Sequence, residues 1–188
     1  MEDITLDPAQ EERLARLPAD GITVFTLESD TIRGALVNGT SMVSRMRAAH
    51  RLGILETVVL GNAYLAAALL SVTLKGQDKL SLRAQGSGPA KGFIVDCDSG
   101  GNVRGRLFVP AIELDAVPES LDSAPLVGTG FLSLTRYPEG KTEPVTGTAE
   151  MTTGRLAEDL AAFYHISEQT RTSFSMGVHF AKDGSVDG

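Results

Sequence analysis

The hydrophobic pattern changes partway through TVVLGNAYLAAALLSVTLKGQDKLSLRAQ, residues 57–85, and this change sets the fold class. The first part, residues 57–74, lies between Glu56 and Lys75 and carries no charge. It is as long as a short membrane span, but it contains threonine, serine, asparagine and glycine, and soluble strand and turn patterns follow it at once. The pattern therefore favours a long apolar helix near 54–74, buried in the core of a soluble protein.

The second part of this stretch alternates between apolar and polar residues. Leu80, Leu82 and Ala84 point one way and the residues between them point the other, which predicts a half-buried strand. Similar runs with turn signals between them predict further strands at 93–97, 103–109, 130–137 and 143–151. Pro144 in the last run requires an edge or a strand start. Short turns between these runs predict antiparallel pairing.

The flanking regions add a hairpin, two helices and a last strand. Residues 21–27 and 31–38 read as paired strands, with a turn at Glu28, Ser29 and Asp30. A helix is predicted from Thr40 to about Gly53, capped by Thr40 or Ser41, and another over 155–166. The buried face of the helix over 155–166 is formed by Leu156, Leu160, Phe163 and Tyr164. A strand is predicted to follow over 172–180, and it buries Phe174, Met176, Val178 and Phe180. The prediction is an α+β fold, mainly an antiparallel sheet packed against a few helices, in a single domain over 1–188.

Composition restricts the classes of partner and the compartment. The net charge is -7, the sequence pI is near 4.9, and no run of Lys or Arg exists, so a nucleic acid partner is not expected. The first twenty residues are acidic and lack a basic segment followed by an apolar run, which predicts a cytoplasmic protein. A single cysteine, Cys97, excludes an internal disulfide framework and suits a reducing compartment.

Residue patterns that carry chemistry are weak throughout the chain. GSGPAKG, residues 86–92, matches neither glycine-rich phosphate motif and precedes a strand rather than a helix, so it is predicted to be a plain turn. The zinc-binding residue types Cys97, His50, His165 and His179 each lie in a different element. Cys97 continues the face of Phe93 and Val95, which predicts a small buried side chain rather than a nucleophile.

His165, Ser167 and Glu168 are residue types of a hydrolase triad, but they lie too close together on one helix end to converge on a proton path. The alternative is structural: Ser167, Glu168 and Gln169 close the helix and bind its free carbonyls or the chain that follows. No catalytic, cofactor-binding or metal-binding residue is therefore predicted.

The segment YHISEQTRT, residues 164–172, resembles the Y-x-x-S-E-Q-x-P-T segment of the heat shock protein 33 family of redox-regulated holdase chaperones. Segments at 31–37, 69–89, 102–107 and 126–135 resemble that family's N-terminal domain, in its order and spacing. The resemblance covers roughly 21–188. Arg171 stands where the family usually has proline, and PVTG at 144–147 replaces a common tyrosine-glutamine-glycine.

The resemblance implies an ATP-independent chaperone, not an enzyme, that binds unfolding client proteins and prevents their aggregation under oxidative or heat stress. The family also carries four C-terminal cysteines, in a C-x-C and a C-x-x-C, that bind zinc, and these are missing from the sequence. An N-terminal core without the redox module, and without zinc, is therefore expected. KDGSVDG, residues 182–188, has turn chemistry that predicts another strand after it.

Two further expectations concern assembly and alternatives. An unpaired strand edge at 172–180 predicts a homodimer, and exchange of elements between the two copies is one way to form it. The competing hypotheses for the function are a small-molecule-binding domain, an enzyme of unknown substrate, or an interaction module without holding activity.

Overall fold

The structure, a computed structural model, describes Pro8, Glu12, Ala15 and residues 19–29, 31–114 and 120–188. Its elements in chain order are β1 (Gly21–Leu27), β2 (Ile32–Asn38), α1 (Thr40–His50), α2 (Ile54–Ser71), β3 (Lys79–Gly86), β4 (Gly92–Asp98), β5 (Val103–Leu107), α3 (Ala124–Val127), β6 (Gly130–Tyr137), β7 (Val145–Met151) and α4 (Leu156–Ser167). The predicted α+β class is confirmed.

A five-stranded antiparallel sheet in the order β5-β4-β3-β6-β7 forms the larger half of the protein. The central strand β3 aligns Leu82 with Val95 on one side and with Leu134 on the other. These side chains are at most 2% exposed, because the face they share packs against the helices. The alternation predicted for β3 is therefore confirmed, and β7 begins directly after Pro144, at a strand start as expected.

Helix α2 is the centre of the core. By length and composition it could cross a membrane, but 72% of it is buried inside the protein, mainly against the sheet. Burial on nearly every side explains why its sequence is apolar all round. The helix ends at Ser71 rather than near residue 74, because the N–H groups of Thr73 and Leu74 turn back to the carbonyls of Leu70 and Ser71.

The start of α1 differs from the sequence prediction. Its N-cap residue is Gly39, and neither Thr40 nor Ser41 caps it with a side chain. The Thr40 hydroxyl instead lies 3.1 Å from Asn38 Oδ1, and the Ser41 N–H donates to Asp20 Oδ1 at 2.9 Å. Asp20, which lies before β1, thus caps the helix. A sequence pattern that considers only the residues next to the helix start does not detect such a cap.

The hairpin, defined as β1 and β2, forms a separate two-stranded sheet. Its turn holds Glu28 and Ser29 at φ of 50° and 54°, the left-handed conformation that a tight hairpin turn requires. The third residue of the predicted turn, Asp30, lies outside the described residues. The hairpin reaches the end of α2 through Arg33, whose Nη2 donates to the carbonyl of Val72 at 3.2 Å.

The prediction of a strand at 172–180 is correct for the alternation of buried and exposed side chains but wrong for backbone pairing. Exposure alternates along 172–180, with Phe174, Met176, Val178 and Phe180 directed toward the core. Among the described residues, Phe180 is the one member of this segment that forms a bridge; its partner is Val186, across a turn in which Gly184 adopts φ +78°. The chain is extended, but the part of the protein that the structure describes holds no strand beside residues 172–178 to complete a ladder.

Candidate functional site

An open groove lies between the hairpin and the last extended part of the chain. One side is formed by β2, the other by residues 170–178, which we call the extended segment. Leu65 and Leu69 of α2 lie between these two sides. The volume of the groove is about 1130 Å³, slightly above the range of about 300–1,000 Å³ that is usual for small-molecule pockets.

Apolar side chains dominate the groove and the hairpin beside it. Met176 and Val178 line the groove from the extended segment, and both pack only partly against the core. Leu36 of β2 is 67% exposed, and every residue of β1 is exposed. The large exposed apolar residues of the hairpin are Ile22, Val24, Phe25, Leu27, Ile32 and Leu36. Such a concentration on one part of a surface is typical of a binding site for another polypeptide.

The backbone on both sides of the groove has free strand edges. Within the described residues, β2 pairs only with β1. The extended segment from 171 to 178 makes no backbone-to-backbone hydrogen bond to any described residue. Unpaired edges of this kind are templates for another strand.

The charges around the groove are opposite in sign to the net charge of the protein. Among the described residues that line the groove, the charged ones are Arg33 and Arg171. The chain as a whole carries -7. The groove is therefore a locally positive site on an acidic protein, and acidic groups are favoured in its occupant.

The residues that sequence analysis singled out as candidate chemistry do not meet in this groove. Ser167 ends α4, and Gln169 follows at φ +52°, so that the N–H of Thr170 reaches the carbonyl of Tyr164 at 3.0 Å. Glu168 forms an ion pair with Arg136 of β6 at 3.4 Å. The triplet of Ser167, Glu168 and Gln169 thus joins the helix end to the sheet and starts the extended segment.

The candidate metal ligands remain apart. Across residues 19–29, 31–114 and 120–188, and the three described residues before them, no group of three or more His, Cys, Asp or Glu side chains could hold a metal ion. His179 contacts Asp187 through Nδ1 at 2.5 Å, and His165 is exposed on α4. Among those residues, neither histidine belongs to a group of three or more side chains that could act as metal ligands.

Cys97 lies on the inner face of β4 and is only 3% exposed. Burial raises the pKa of its thiol to about 12, and the negative charges of Asp98 and Asp96 add to the effect. At neutral pH the reactive thiolate is nearly absent, so the side chain behaves as part of the core.

Sequence reasoning did not identify the groove, because it depends on which strands lack a neighbour. One signal was available in β1, where Val24 and Phe25 are adjacent apolar residues in a strand. Adjacent side chains of a strand point to opposite faces of the sheet. A two-stranded sheet with one face against the core therefore leaves one of these two side chains exposed.

Comparisons with known proteins agree on one family. A family model described as Hsp33 protein matches residues 20–188. The 33 kDa chaperonin of Desulforamulus reducens is 39% identical over 148 residues, which are 78% of this chain and 50% of the relative. The 33 kDa chaperonin of Acetivibrio thermocellus is 35% identical over 161 residues, 85% of this chain and 54% of the relative.

A solved structure has the same fold. The crystal structure of the 33 kDa chaperonin (heat shock protein 33 homolog) from Thermotoga maritima matches with a TM-score of 0.82 and 33% identity, covering 88% of this chain and 57% of that one. This chain spans about half the length of the curated relatives it matches. The family match extends over 20–188, almost all of the described fold, and the chain belongs to the Hsp33 protein family.

Proposed function

We propose that this chain is the client-binding domain of an ATP-independent holdase, which acts in the cytoplasm on unfolding proteins. The observation that carries the proposal is the open groove with its exposed apolar hairpin. Unfolding proteins expose apolar side chains, and covering them removes about 25 cal/mol of unfavourable free energy for each Å² withdrawn from water. The chaperonin names of the relatives support the same function.

The proposal requires no covalent chemistry and no nucleotide. The groove is lined by apolar side chains, hydroxyl groups and two arginines, without a nucleophile held by a base among the residues that the structure describes there. Binding through apolar contacts and backbone hydrogen bonds depends little on the sequence of the client. A chaperone that binds many different clients needs this property. An enzyme or a specific ligand-binding domain would need a convergent set of polar groups.

Light scattering of a heat-unfolded client protein tests the proposal. We expect the chain to suppress scattering at near-stoichiometric ratios, and Leu36→Ser together with Phe25→Ser to weaken suppression several-fold. Phe131→Ser is the matched control, because Phe131 is 55% exposed but lies on the outer face of the five-stranded sheet. Scattering that is unchanged by the wild-type chain would contradict holding activity and favour one of the other classes.

A homodimer is a second part of the proposal. The outer edge of β1 carries seven exposed residues, and within the described part of the chain it has no partner strand. Antiparallel pairing of two such edges would satisfy their backbone groups and cover apolar side chains. Sedimentation equilibrium should give twice the chain mass at high concentration; a monomeric mass there contradicts the dimer.

We further propose that the chain works without zinc. The basis is the isolation of Cys97 and the histidines from one another in the sequence and in the described structure. Elemental analysis after a chelator wash should find far less than one zinc per chain, and suppression of scattering should be unchanged by the wash. Stoichiometric zinc that survives the wash would overturn this part of the proposal.

A further inference from the structure

Two arginines, Arg83 of β3 and Arg106 of β5, lie in one row on the outer face of the five-stranded sheet. Ile94 of β4 stands between them, opposite Arg83 on one side and opposite Arg106 on the other. Their neighbours Leu82 and Leu107 are buried on the inner face, so both arginines point outward, and both are exposed. Strands β3 and β4 are paired on both sides, so the sheet itself fixes this row. We call Arg83 and Arg106 the arginine pair.

Both side chains of the arginine pair turn to the ring of Phe108, the residue that follows β5. The guanidinium carbons of Arg83 and Arg106 lie 5.2 Å and 5.7 Å from the ring centre, which is the distance of a cation–π contact. The two cations are therefore at most about 11 Å apart. The Phe108 N–H donates to the carbonyl of Gly92 at 3.0 Å and fixes the backbone that carries the ring. One aromatic ring thus gathers two charges that repel each other.

The charge of the arginine pair is not neutralised within the part of the chain that the structure describes. Neither guanidinium forms an ion pair or a hydrogen bond with a described residue. In the next row, by contrast, Nε of Arg104 lies 3.5 Å from the carboxylate of Asp96, and one row further Lys79 stands opposite Asp98. The excess positive charge of this face is therefore concentrated at the arginine pair, on a chain that carries -7 overall.

The spacing of the arginine pair suits two carboxylates of one extended peptide. A guanidinium holds a carboxylate through two parallel N–H···O bonds. In an extended chain, residues i and i+2 point to the same side about 7 Å apart, and the flexible side chains of two glutamates cover the remaining distance. Ile94 is half-buried between the arginines and offers an apolar contact to the peptide. The surface thus matches an acidic segment in both charge and spacing.

A nucleic acid matches this surface less well, because its phosphates need a continuous positive track. Asp96 and Asp98 lie in the rows on one side of the arginine pair. In the row on the other side, Glu150 of β7 is exposed on the same face of the sheet. Carboxylates therefore limit the positive area to a length that two side chains of a peptide can cover.

We propose that the arginine pair and Phe108 form a docking site for an acidic segment of a partner protein, with glutamate or aspartate at positions i and i+2. Each carboxylate binds one guanidinium, and the peptide crosses β3, β4 and β5 because the two arginines are two strands apart. No residue of the five-stranded sheet is among the described residues that line the open groove. The site therefore adds a partner of different chemistry to the proposed binding of apolar clients, and it does not rest on that function.

A pair of matched peptides tests the charge requirement. The probe is a peptide of about nine residues with glutamate-valine-glutamate at its centre and glycine and serine around it, measured by calorimetry against the full chain. We expect binding in about 20 mM salt, weakening at least fivefold in about 0.5 M salt, where exposed charges are screened. The peptide with glutamine-valine-glutamine should bind at least tenfold more weakly. Equal affinity of the two peptides would overturn the proposal.

Substitutions on the protein test the location of the site. Arg83→Gln and Arg106→Gln should each weaken binding of the glutamate peptide at least fivefold. Arg45→Gln is the matched control, because it removes the same charge from an exposed position on α1, and it should weaken binding less than twofold. Arg106→Lys keeps the charge but loses the planar arrangement of donors, so its effect should be intermediate. Circular dichroism melting verifies that these exposed changes leave the fold intact. An equal loss in the three glutamine variants would show that net charge alone attracts the peptide, and would overturn the site.

Three further outcomes decide the occupant. A uridine oligonucleotide that displaces the glutamate peptide at a lower concentration than unlabelled peptide does would reveal a nucleic acid site and contradict the proposal. Self-association that Arg83→Gln abolishes and Arg45→Gln retains would make a second copy of the chain the occupant, and the assignment of a partner protein would be wrong. If Arg83→Gln loses the peptide but still suppresses client scattering, the site is separate from the open groove as proposed; a parallel loss of both activities would contradict that separation.

Discussion

Helix α2 separates two halves of this protein that differ in how completely their strands are paired. On one side the five-stranded sheet buries Leu82, Leu132 and Phe93 almost completely. On the other side, the hairpin and the extended segment, whose residues 171–178 pair with no described residue, leave an open groove, and Leu36 is 67% exposed. We call these the closed half and the open half.

The two halves are built from similar residues, so composition does not explain the difference. Val, Ile, Leu, Thr and Phe occur in the strands of both halves. What differs is the number of paired neighbours: β3 has a partner on each side, while β2 and the extended segment lack one toward the groove within the described residues. A two-stranded hairpin buries little area alone. Within the described residues, the exposed apolar surface of the open half therefore coincides with incomplete pairing.

The largest contrast is expected from truncating one leucine in each half. Leu82→Ala removes a fully buried side chain from the central strand β3 and should lower the free energy of unfolding by about 3 kcal/mol. Leu36→Ser in the open half should change it by less than about 0.5 kcal/mol. Chemical denaturation measures both. Equal costs would mean that Leu36 is covered in solution.

The second prediction concerns the buried carboxylate of the closed half. Asp159 is 1% exposed, and its two carboxylate oxygens accept from the backbone N–H groups of Thr152, Thr153 and Gly154 at 3.0–3.1 Å. Asp159→Ala leaves these donors without a partner and should cost about 2 kcal/mol.

Asp159→Asn is the control, because it keeps one acceptor oxygen in the same shape and should lose less. Thermal unfolding measures both variants. A loss in Asp159→Ala that matches an exposed alanine substitution would show that water replaces the carboxylate.

Sequence reasoning predicted the closed half far better than the open half. The alternation around Leu82 and the helical face of Leu160 and Phe163 gave the correct elements, because each period reports local burial. Residues 172–180 have the same kind of period, yet they form no ladder with the described residues. Periodicity shows which face is buried; it contains no information on whether a partner strand is present.

The sequence also predicted the functional residues only in part, because local patterns do not report contacts between distant segments. The sequence pattern placed Cys97 correctly in the core, and it predicted the end of α4 near Ser167 to within one residue. The groove was missed because its parts, β2 and the extended segment, are more than 130 residues apart in sequence and have no pairwise signal. The cap that Asp20 gives to Ser41 was missed for the same reason.

The third prediction uses pH to probe the closed half. The pKa of the Cys97 thiol is raised from 9.0 to about 12, mainly by burial, so folding favours the neutral form. Between pH 9 and 12 the unfolded chain loses a proton that the folded chain keeps, and stability therefore falls as pH rises through this window. The slope from this group is at most about 1.4 kcal/mol per pH unit, and the contribution is fully present below pH 9.

Cys97→Ala isolates this effect, since it removes the titrating group and keeps a small apolar side chain. Denaturation midpoints at pH 8, 9 and 10 should fall less steeply in the variant than in the wild type. Parallel curves would show that the thiol titrates normally and that the inner face of β4 is open to water.

The fourth prediction concerns the attachment of the open half to the rest of the protein. Arg47 of α1 donates from Nη1 to the carbonyl of Gly184 and from Nε to that of Leu52 at 3.2 Å, and its guanidinium lies 5.6 Å from the centre of the Phe180 ring. Arg47→Ala should release the turn that follows the extended segment, with a global cost of about 1 kcal/mol.

Hydrogen exchange at the amides of Ala181 and Asp187 reports this release, while amides of β3 should remain protected. Arg47→Lys keeps the charge and loses the planar arrangement of donors, so it should have an intermediate effect. Equal loss of protection in β3 would mean that the two halves unfold as one unit.

The smallest expected effect is that of oxidation on holding activity. A switch made of an intramolecular disulfide needs two cysteines with Cα atoms within about 7 Å, and the sequence has Cys97 alone. That thiol lies in the closed half, away from the open groove, and its raised pKa leaves almost no thiolate for peroxide to attack. Suppression of client scattering should therefore be the same before and after peroxide, and Cys97→Ser should retain it. Activation of several-fold that reductant reverses, and that Cys97→Ser lacks, would place a redox switch in the closed half and break the separation between the two halves.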